Sequence, residues 1–331
     1  MNAAASAASR RGNEREVEPC PICGARSWHT LFDSRSYAIA RCSGCQLVRT
    51  LGVEPGDGVT TYPHFDQRET AVVKLMRFAV TQLLRERASL VAKVAKKGSR
   101  LLDVGCGSGA FARMMADRGY DAVGVEPFSL GKPVEEPGLR LVRAEFADVK
   151  GELGKFDVVT MWHVLEHIPS PRELLAGVLD VLEPGGVLVV SVPNFASWQS
   201  RFFKGGWFHL DPPRHITHFD RSTLHALFEG LDLEVFEERT FHFEYGPVGW
   251  LQSAFNRILR PNFLFEFVKD RGALANVPFR ETALNLLASG AAGALLAAPS
   301  VAVEAAAGAA GAGSVLTMCV RRRSSGGGEG R

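Results

Sequence analysis

Two cysteine pairs, Cys20-Pro-Ile-Cys23 and Cys42-Ser-Gly-Cys45, stand in a C-x2-C-x18-C-x2-C arrangement. Each pair forms a thiolate knuckle, and an intervening hairpin can bring the two together into a closed tetrahedral zinc site, structural because no coordination position stays open. Cys20, Cys23, Cys42 and Cys45 are therefore the expected metal ligands. The remaining thiols, Cys106 and Cys319, suit a buried core. The loop between the knuckles, GARSWHTLFDSRSYAIAR, is only mildly basic, so helping to shape or cover a pocket fits it better than binding nucleic acid.

A second set is built on glycine: Leu101-Leu-Asp103-Val-Gly105-Cys106-Gly107-Ser-Gly109-Ala-Phe111. A short apolar strand running through such a turn into a helix lets a ligand approach the backbone and meet the helix N-terminus. Gly105, Gly107 and Ala110 also satisfy the dinucleotide fingerprint. Glu126 follows 17 residues after Gly109, at the end of the next strand, where a carboxylate can accept both hydroxyls of a ribose. The two motifs specify an adenosine site and leave open a nicotinamide cofactor or S-adenosylmethionine (SAM).

Histidines make the third set. His163-Val-Leu-Glu166-His167 matches the H-x-x-E-H pattern of some zinc peptidases. Its place directly after a strand, ahead of a helix started by Ser170-Pro-Arg-Glu173, argues against that chemistry; bracing the helix start is the plainer alternative for Glu166 and His167. The run Trp207-Phe-His209-Leu-Asp-Pro-Pro-Arg214-His215-Ile-Thr-His218 mixes aromatics, Arg and His in a way that suits a polar acceptor ring or sugar. His215 and His218 are candidate pocket residues and candidate bases, unless they only hydrogen-bond a long loop in place.

The elements that must position these groups alternate. Strands are expected at Arg100 to Val104, Asp121 to Glu126, Gly138 to Arg143, Phe156 to Met161, Gly186 to Val192, Leu233 to Glu238 and Ser314 to Val320, most of them buried-type runs. Helices are expected from Glu69 to Lys96, from Ala110 to Arg118, from the Ser170 capping box to Glu183-Pro-Gly-Gly186, and from Ser222. This order specifies an α/β fold: a seven-strand doubly wound, Rossmann-like sheet, with a small N-terminal zinc ribbon and a helical insert before the last strand. The divisions are a disordered leader (1–18), zinc ribbon (19–50), linker (51–68), core (69–245), apolar insert (246–312), last strand (313–323) and flexible tail (324–331).

The run LLDVGCGSGAF, then VGVEP, then FDVVTMWHVLEHIPSP, then LEPGGVLVVSVPN resembles the ordered motifs of class I SAM-dependent methyltransferases, closest to the branch of ubiquinone-type O-methyltransferases. The resemblance is dense from Arg100 to Asn194 and looser through PPRHITHFDRSTLHALFEGLDLEVFEE. It implies that Asp103 and the backbone of Gly105, Cys106, Gly107 and Gly109 hold the methionine end of SAM, that Glu126 takes the ribose, and that Glu145 reads the adenine. Trp162 and His163 would line the methyl-transfer face, with His163, His167, His215 and His218 as the catalytic candidates. The related O-methyltransferases bind a divalent metal through acids and a histidine at this motif; Glu166 and His167 match them, while His163 stands where they carry an acid.

The implied reaction is methyl transfer to a small-molecule acceptor, most simply a hydroxyl; the alternatives are RNA base methylation and a non-catalytic SAM-binding or zinc-ribbon scaffold. The 331 residues are 46% hydrophobic, enough for one large core and a small module, and 38 basic against 36 acidic side chains create no global field for a polyanion, so no nucleic-acid partner is expected. The first 19 residues lack an apolar signal core, which leads to a cytoplasmic expectation. The run ALNLLASGAAGALLAAPSVAV (283–303) reaches membrane-span length, but a following core strand and Pro299 favour a buried hairpin, a homodimer surface or a substrate lid over peripheral membrane contact.

Overall fold

The computed structural model describes residues 18–54, 71–128, 130–241, 245–257, 296 and 298–323, the side chains of 71–79 and 245 excepted. Along the chain run β1 (Trp28–Ser34), β2 (Tyr37–Cys42), β3 (Val48–Leu51), α1 (Ala71–Val94), β4 (Arg100–Val104), α2 (Ala110–Asp117), β5 (Asp121–Val125), β6 (Val134–Glu136), β7 (Leu139–Val142), α3 (Phe146–Leu153) and β8 (Phe156–Trp162). They continue as α4 (Pro171–Val181), β9 (Leu182–Pro193), α5 (Trp198–Phe203), β10 (Thr217–His218), α6 (Arg221–Glu229), β11 (Leu233–Arg239), α7 (Tyr245–Phe255), a helix α8 over 298–309, and β12 (Val315–Arg322).

The larger sheet has the order β11-β12-β9-β8-β4-β5-β7-β6. Strands β9, β8, β4, β5 and β7 are parallel, and their Val- and Leu-rich runs are buried by side chains on both faces, as a sheet covered by helices on both sides requires. The chain leaves β4 first toward β5 and β7 and later returns to its other side as β8 and β9. The carboxyl ends of β4 and β8 therefore flank the point where strand order reverses, the place where open α/β sheets bind ligands. All seven expected strands are present. An eighth, β6, is added as a hairpin partner to β7 across a turn in which Gly138 has φ 76, a backbone state open to glycine at little cost.

Two local expectations fail. Ser170 does not cap α4 with its side chain: its backbone, at φ −115 and ψ 71, turns away from the usual cap geometry, and the helix starts instead from Pro171 at its first position. The Glu183-Pro-Gly-Gly186 segment also lies inside β9 rather than closing the helix. Pairing with β8 jumps from Phe156↔Leu182 to Val158↔Val187, so the extra residues are absorbed as a bulge. Helix α6 does carry a capping box, between Asp220 and Thr223.

A smaller sheet has the order β1-β2-β3-β10. Its first three strands come from the cysteine module, whereas β10 belongs to the histidine-rich segment far along the chain. Cys20, Cys42 and Leu47 pack in one buried cluster with Leu165, Leu175 and Phe219. The module thus shares its core with the main sheet.

Of the apolar insert, 258–295 and residue 297 lie outside the described residues, as does most of the run at 283–303. Its described helix α8 is anchored by a polar network. Glu304, fully buried, accepts hydrogen bonds from Ser314 N (2.8 Å), Ser314 Oγ (2.7 Å), Trp250 Nε1 (2.9 Å) and Gln199 Nε2 (3.1 Å), tying α8 to α5, α7 and β12. No helix among the described residues is long and apolar enough to cross a membrane.

Candidate active site

The glycine turn caps the carboxyl end of β4. Gly105 N and Cys106 N both donate to Val125 O, at 2.8 and 3.2 Å, which locks the turn against β5. Gly105, Gly107 and Gly109 all have positive φ. A Cβ on Gly105 would sit 2.5 Å from Val164 Cγ2 and one on Gly109 2.5 Å from Leu141 Cδ1, whereas Gly107 faces open space. Two of these glycines thus serve close packing, and the third leaves room for a ligand against the backbone. Glu126 leans over the same turn, Oε2 accepting from Gly107 N (3.1 Å) and Oε1 from Phe128 N (2.9 Å).

Below the turn, Asp103 is almost fully buried and accepts a hydrogen bond from Thr160 Oγ1 at 2.7 Å. Burial pushes its carboxyl up to about 7, against the lowering effect of Thr160 and Arg87. The guanidinium of Arg87, from α1, lies 4.9 Å from the Trp162 ring centroid, and Phe111 meets the same indole edge-on at 5.5 Å. Trp162 Nε1 is buried and has no hydrogen-bond partner among the described residues. Cys106 is buried beside the turn, which pushes its thiol up. Glu145 is exposed at the start of α3; partial burial and then the charges of Asp148 and Glu126 raise its carboxyl.

At the end of β8 the backbone takes a left-handed step at His163 (φ 57) and enters a short 3-10 turn, Leu165–His167. His163 Nδ1 donates to Glu166 Oε1 at 3.0 Å, and its ring lies parallel to that of His209, 6.3 Å away. Glu166 is 1% exposed and its Oε2 has no partner among the described residues. Burial works against its charge, but the His163 hydrogen bond and the imidazoles around it hold the carboxyl down at about 2.

The 209–218 segment brings His215 to this turn. The His167 and His215 rings meet edge to face at 4.7 Å, and ligand atoms of Glu166, His167 and His215 all lie within 4.8 Å of one another. His167 Nδ1 lies 2.9 Å from Arg214 O and His215 Nδ1 2.6 Å from His209 O. A carbonyl can only accept, so each ring carries a proton on Nδ1, and Nε2 is the nitrogen left to meet a ligand. Burial, with His167 alongside, lowers the His215 pKa to about 4, which keeps the ring neutral at ordinary pH.

His218 is placed differently. It is 4% exposed, and its Nε2 lies 2.9 Å from Thr50 Oγ1, which is also 2.8 Å from His215 O. The hydroxyl has one proton, which goes to the carbonyl, so His218 Nε2–H donates to the Thr50 oxygen. The ring links the cysteine module to the histidine segment.

The four sequence-expected metal ligands converge. Their sulfurs lie within 4.8 Å of one another, with Cys20 to Cys45 at 3.4 Å and Cys23 to Cys42 at 3.5 Å. Thiolates bonded at about 2.3 Å to one tetrahedral zinc would have edges of about 3.8 Å, so the set fits zinc. Burial pushes the Cys20 and Cys45 thiols up, a cost that a bound cation would offset.

A methyltransferase-domain family model matches residues 76–238, which span the glycine turn and both histidine segments. The ubiquinone biosynthesis O-methyltransferase of Cereibacter sphaeroides is 31% identical over 202 residues, an alignment covering 55% of this chain and 78% of that protein. The chain belongs to the SAM-dependent methyltransferases. A second enzyme of the same name, from Roseobacter denitrificans, is 40% identical over 107 residues, covering 30% of this chain and 42% of its own. A solved SAM-dependent methyltransferase from Archaeoglobus fulgidus has a TM-score of 0.38 at 24% identity, over 49% of this chain and 72% of the other.

In this methyltransferase the open backbone at Gly107 and the Glu126 carboxylate lie together at the glycine turn, with the Asp103 carboxyl buried beneath them. Three contributors escaped the sequence reading. Arg87 sits on an amphipathic helix whose phase alone gives no reason to single out one arginine. His209 was visible only as one of several histidines. Thr50 reaches the site through β3–β10 pairing, for which local sequence carries no signal.

Proposed function

We propose that this methyltransferase moves the methyl group of SAM to a hydroxyl of a small acceptor, of the kind carried by quinols, polyketides or sugars, held at the Glu166–His167–His215 centre. The observation that carries this reading is the convergence of ligand atoms of Glu166, His167 and His215 to within 4.8 Å of one another, with Glu166 Oε2 unpartnered among the described residues. In this assignment Asp103 and the Gly105–Gly109 backbone hold the methionine end, with Arg87 as partner for its carboxylate, while Glu126 takes the ribose and Glu145 faces the adenine. Trp162 walls the cofactor side, and His163 fixes Glu166 through its Nδ1–H.

Transfer from a sulfonium needs no covalent enzyme intermediate; it needs in-line alignment and exclusion of water. It also requires the acceptor hydroxyl to lose its proton. With a pKa near 4, His215 is a weak proton acceptor by itself but a well-prepared ligand, its Nδ1–H anchored on a carbonyl. The donor set of one carboxylate and two imidazoles fits a divalent cation, which when bound would lower the pKa of a hydroxyl it touches. Glu166, His167 and His215 would hold it; Pro212 and Pro213 lie in the loop that carries His215 toward them.

The test is to incubate the protein with methyl-labelled SAM and a panel of catechols, quinols and sugar alcohols, with and without added divalent cation, and to identify the labelled product. An aryl or alkyl methyl ether is expected. Label found only on carbon or nitrogen, or in RNA, contradicts the proposal.

A further inference from the structure

The geometry points to the four-cysteine module as a positioning element of the transfer centre: through Thr50 and Arg35 it fixes His215 and His167, so metal in the cysteine cluster is needed for turnover but not for SAM binding. The inference rests on the transfer centre proposed above.

Two chains of contact lead from module to imidazoles. In the first, β3 pairs antiparallel with β10, Thr217 opposite Arg49 and His218 opposite Val48. Thr50 extends this pairing: its N donates to Ile216 O at 2.9 Å and its Oγ1 to His215 O at 2.8 Å. On its other edge the same segment donates from Ile216 N to Glu166 O at 2.8 Å. The backbone of His215 is thus clamped between the cysteine module and the turn that carries Glu166.

In the second chain, Arg35 at the β1–β2 turn pairs with Asp211 Oδ1 at 3.0 Å, and Arg214 pairs with Asp211 Oδ2. Arg214 O accepts the Nδ1–H of His167, and Asp211 O accepts His215 N at 3.2 Å. Burial opposes the Asp211 charge, but the Arg214, His215 and Arg35 side chains together hold its pKa below the usual carboxylate range. The orientation of both rings, set by their Nδ1–H bonds, therefore depends on carbonyls of a loop tied to Arg35 and Thr50.

The cysteines set where β3 begins. Cys42 ends β2, Cys42 N donates to Leu47 O at 2.8 Å, and Gln46 takes a left-handed turn (φ 68) directly after Cys45. Ligation of this knuckle therefore fixes the entry of β3, whose next residues reach His215 and His218. The cofactor rim is anchored elsewhere, on β4 and β5, through Gly105 N and Cys106 N. Losing the clamp should loosen the acceptor side and spare the cofactor side.

The test compares Thr50→Val, which removes the hydroxyl at nearly constant shape, Thr50→Ser, which restores it, and Arg35→Met at a partly exposed position, using the full chain with its native zinc. Three quantities are read: turnover with the acceptor found by the labelled-SAM panel, SAM affinity by calorimetry, and the imidazole nitrogen resonances of His167, His215 and His218. Turnover should fall about 10- to 100-fold in Thr50→Val and in Arg35→Met, as loss of an outer-shell partner does elsewhere. The resonances should shift, SAM affinity should hold, and Thr50→Ser should recover. Titrating the cysteine thiolates with a mercurial should release zinc and turnover together, with SAM binding retained.

Unchanged turnover and resonances in both Thr50→Val and Arg35→Met would overturn the inference, as would equal loss of SAM affinity. His215→Ala separates this from the parent reading. If it keeps full turnover, the transfer centre is wrongly placed; if it is inactive while Thr50→Val and Arg35→Met stay active, the clamp alone is refuted.

Discussion

Lowering the pH should weaken SAM binding through one carboxyl group. Asp103 is 2% exposed, and burial raises its pKa to about 7, so near neutrality the cofactor-free protein holds a proton there in about half of its molecules. The methionine ammonium of bound SAM favours the carboxylate and should return the pKa toward its ordinary 3.8. Binding must then expel a proton, and the dissociation constant should rise as pH falls below 7. Between pH 7 and pH 5.5 the two pKa values give about 16-fold weaker binding, or about 1.6 kcal/mol. The interval stays below pH 7 because the amino group of SAM itself titrates near pH 8. Calorimetry in buffers of different ionisation enthalpy measures both the slope and the proton released. A flat affinity from pH 5.5 to 7, or an Asp103→Asn variant that keeps the slope, would refute the reasoning.

Three further outcomes follow from the same geometry. Gly109→Ala forces a side chain onto a residue at φ 76 with Leu141 Cδ1 2.5 Å from the new Cβ; thermal unfolding should show a loss of about 2 kcal/mol, and a melting temperature equal to wild type would contradict the packing described. Glu166→Gln removes the ionised oxygen from the transfer centre, so turnover should drop about 10- to 100-fold and lose any stimulation by divalent cation while SAM affinity stays; stimulation that persists would point to another site. Glu304→Leu leaves the donors of Ser314, Trp250 and Gln199 without their acceptor and should cost about 3 kcal/mol in denaturant unfolding, against a near-neutral change if α8 is held by apolar contact alone.

Much of this architecture could be read from the sequence because the signals were local. Leu101 to Val104 and Val158 to Met161 are buried-type runs, and a run of that kind has few places to go except the middle of a parallel sheet. The cysteine knuckles announced their own convergence by spacing. What escaped was set by long-range pairing. Nothing around Thr50 says that it will meet His215, 165 residues away along the chain. The two local misreadings have a common source in residue patterns that fit more than one backbone path: Ser170-Pro-Arg-Glu173 has the composition of a capping box without the required Ser170 dihedrals, and Glu183-Pro-Gly-Gly186 can be a helix stop or a strand bulge. Among the histidines, sequence could propose four but could not rank them; contacts separate His218, committed to Thr50 through Nε2, from His167 and His215, which are anchored through Nδ1 and gather beside Glu166.

The division of labour between rim and histidine centre is tested most directly by titrating SAM into zinc-loaded wild type, Glu126→Ala and His215→Ala while following methyl release on the same samples. One equivalent of SAM should bind to wild type and to His215→Ala with matching affinity, with turnover lost only in the latter, and Glu126→Ala should bind it markedly less well. Matching losses of affinity and turnover in both variants, or uptake of NADH in place of SAM, would contradict the account.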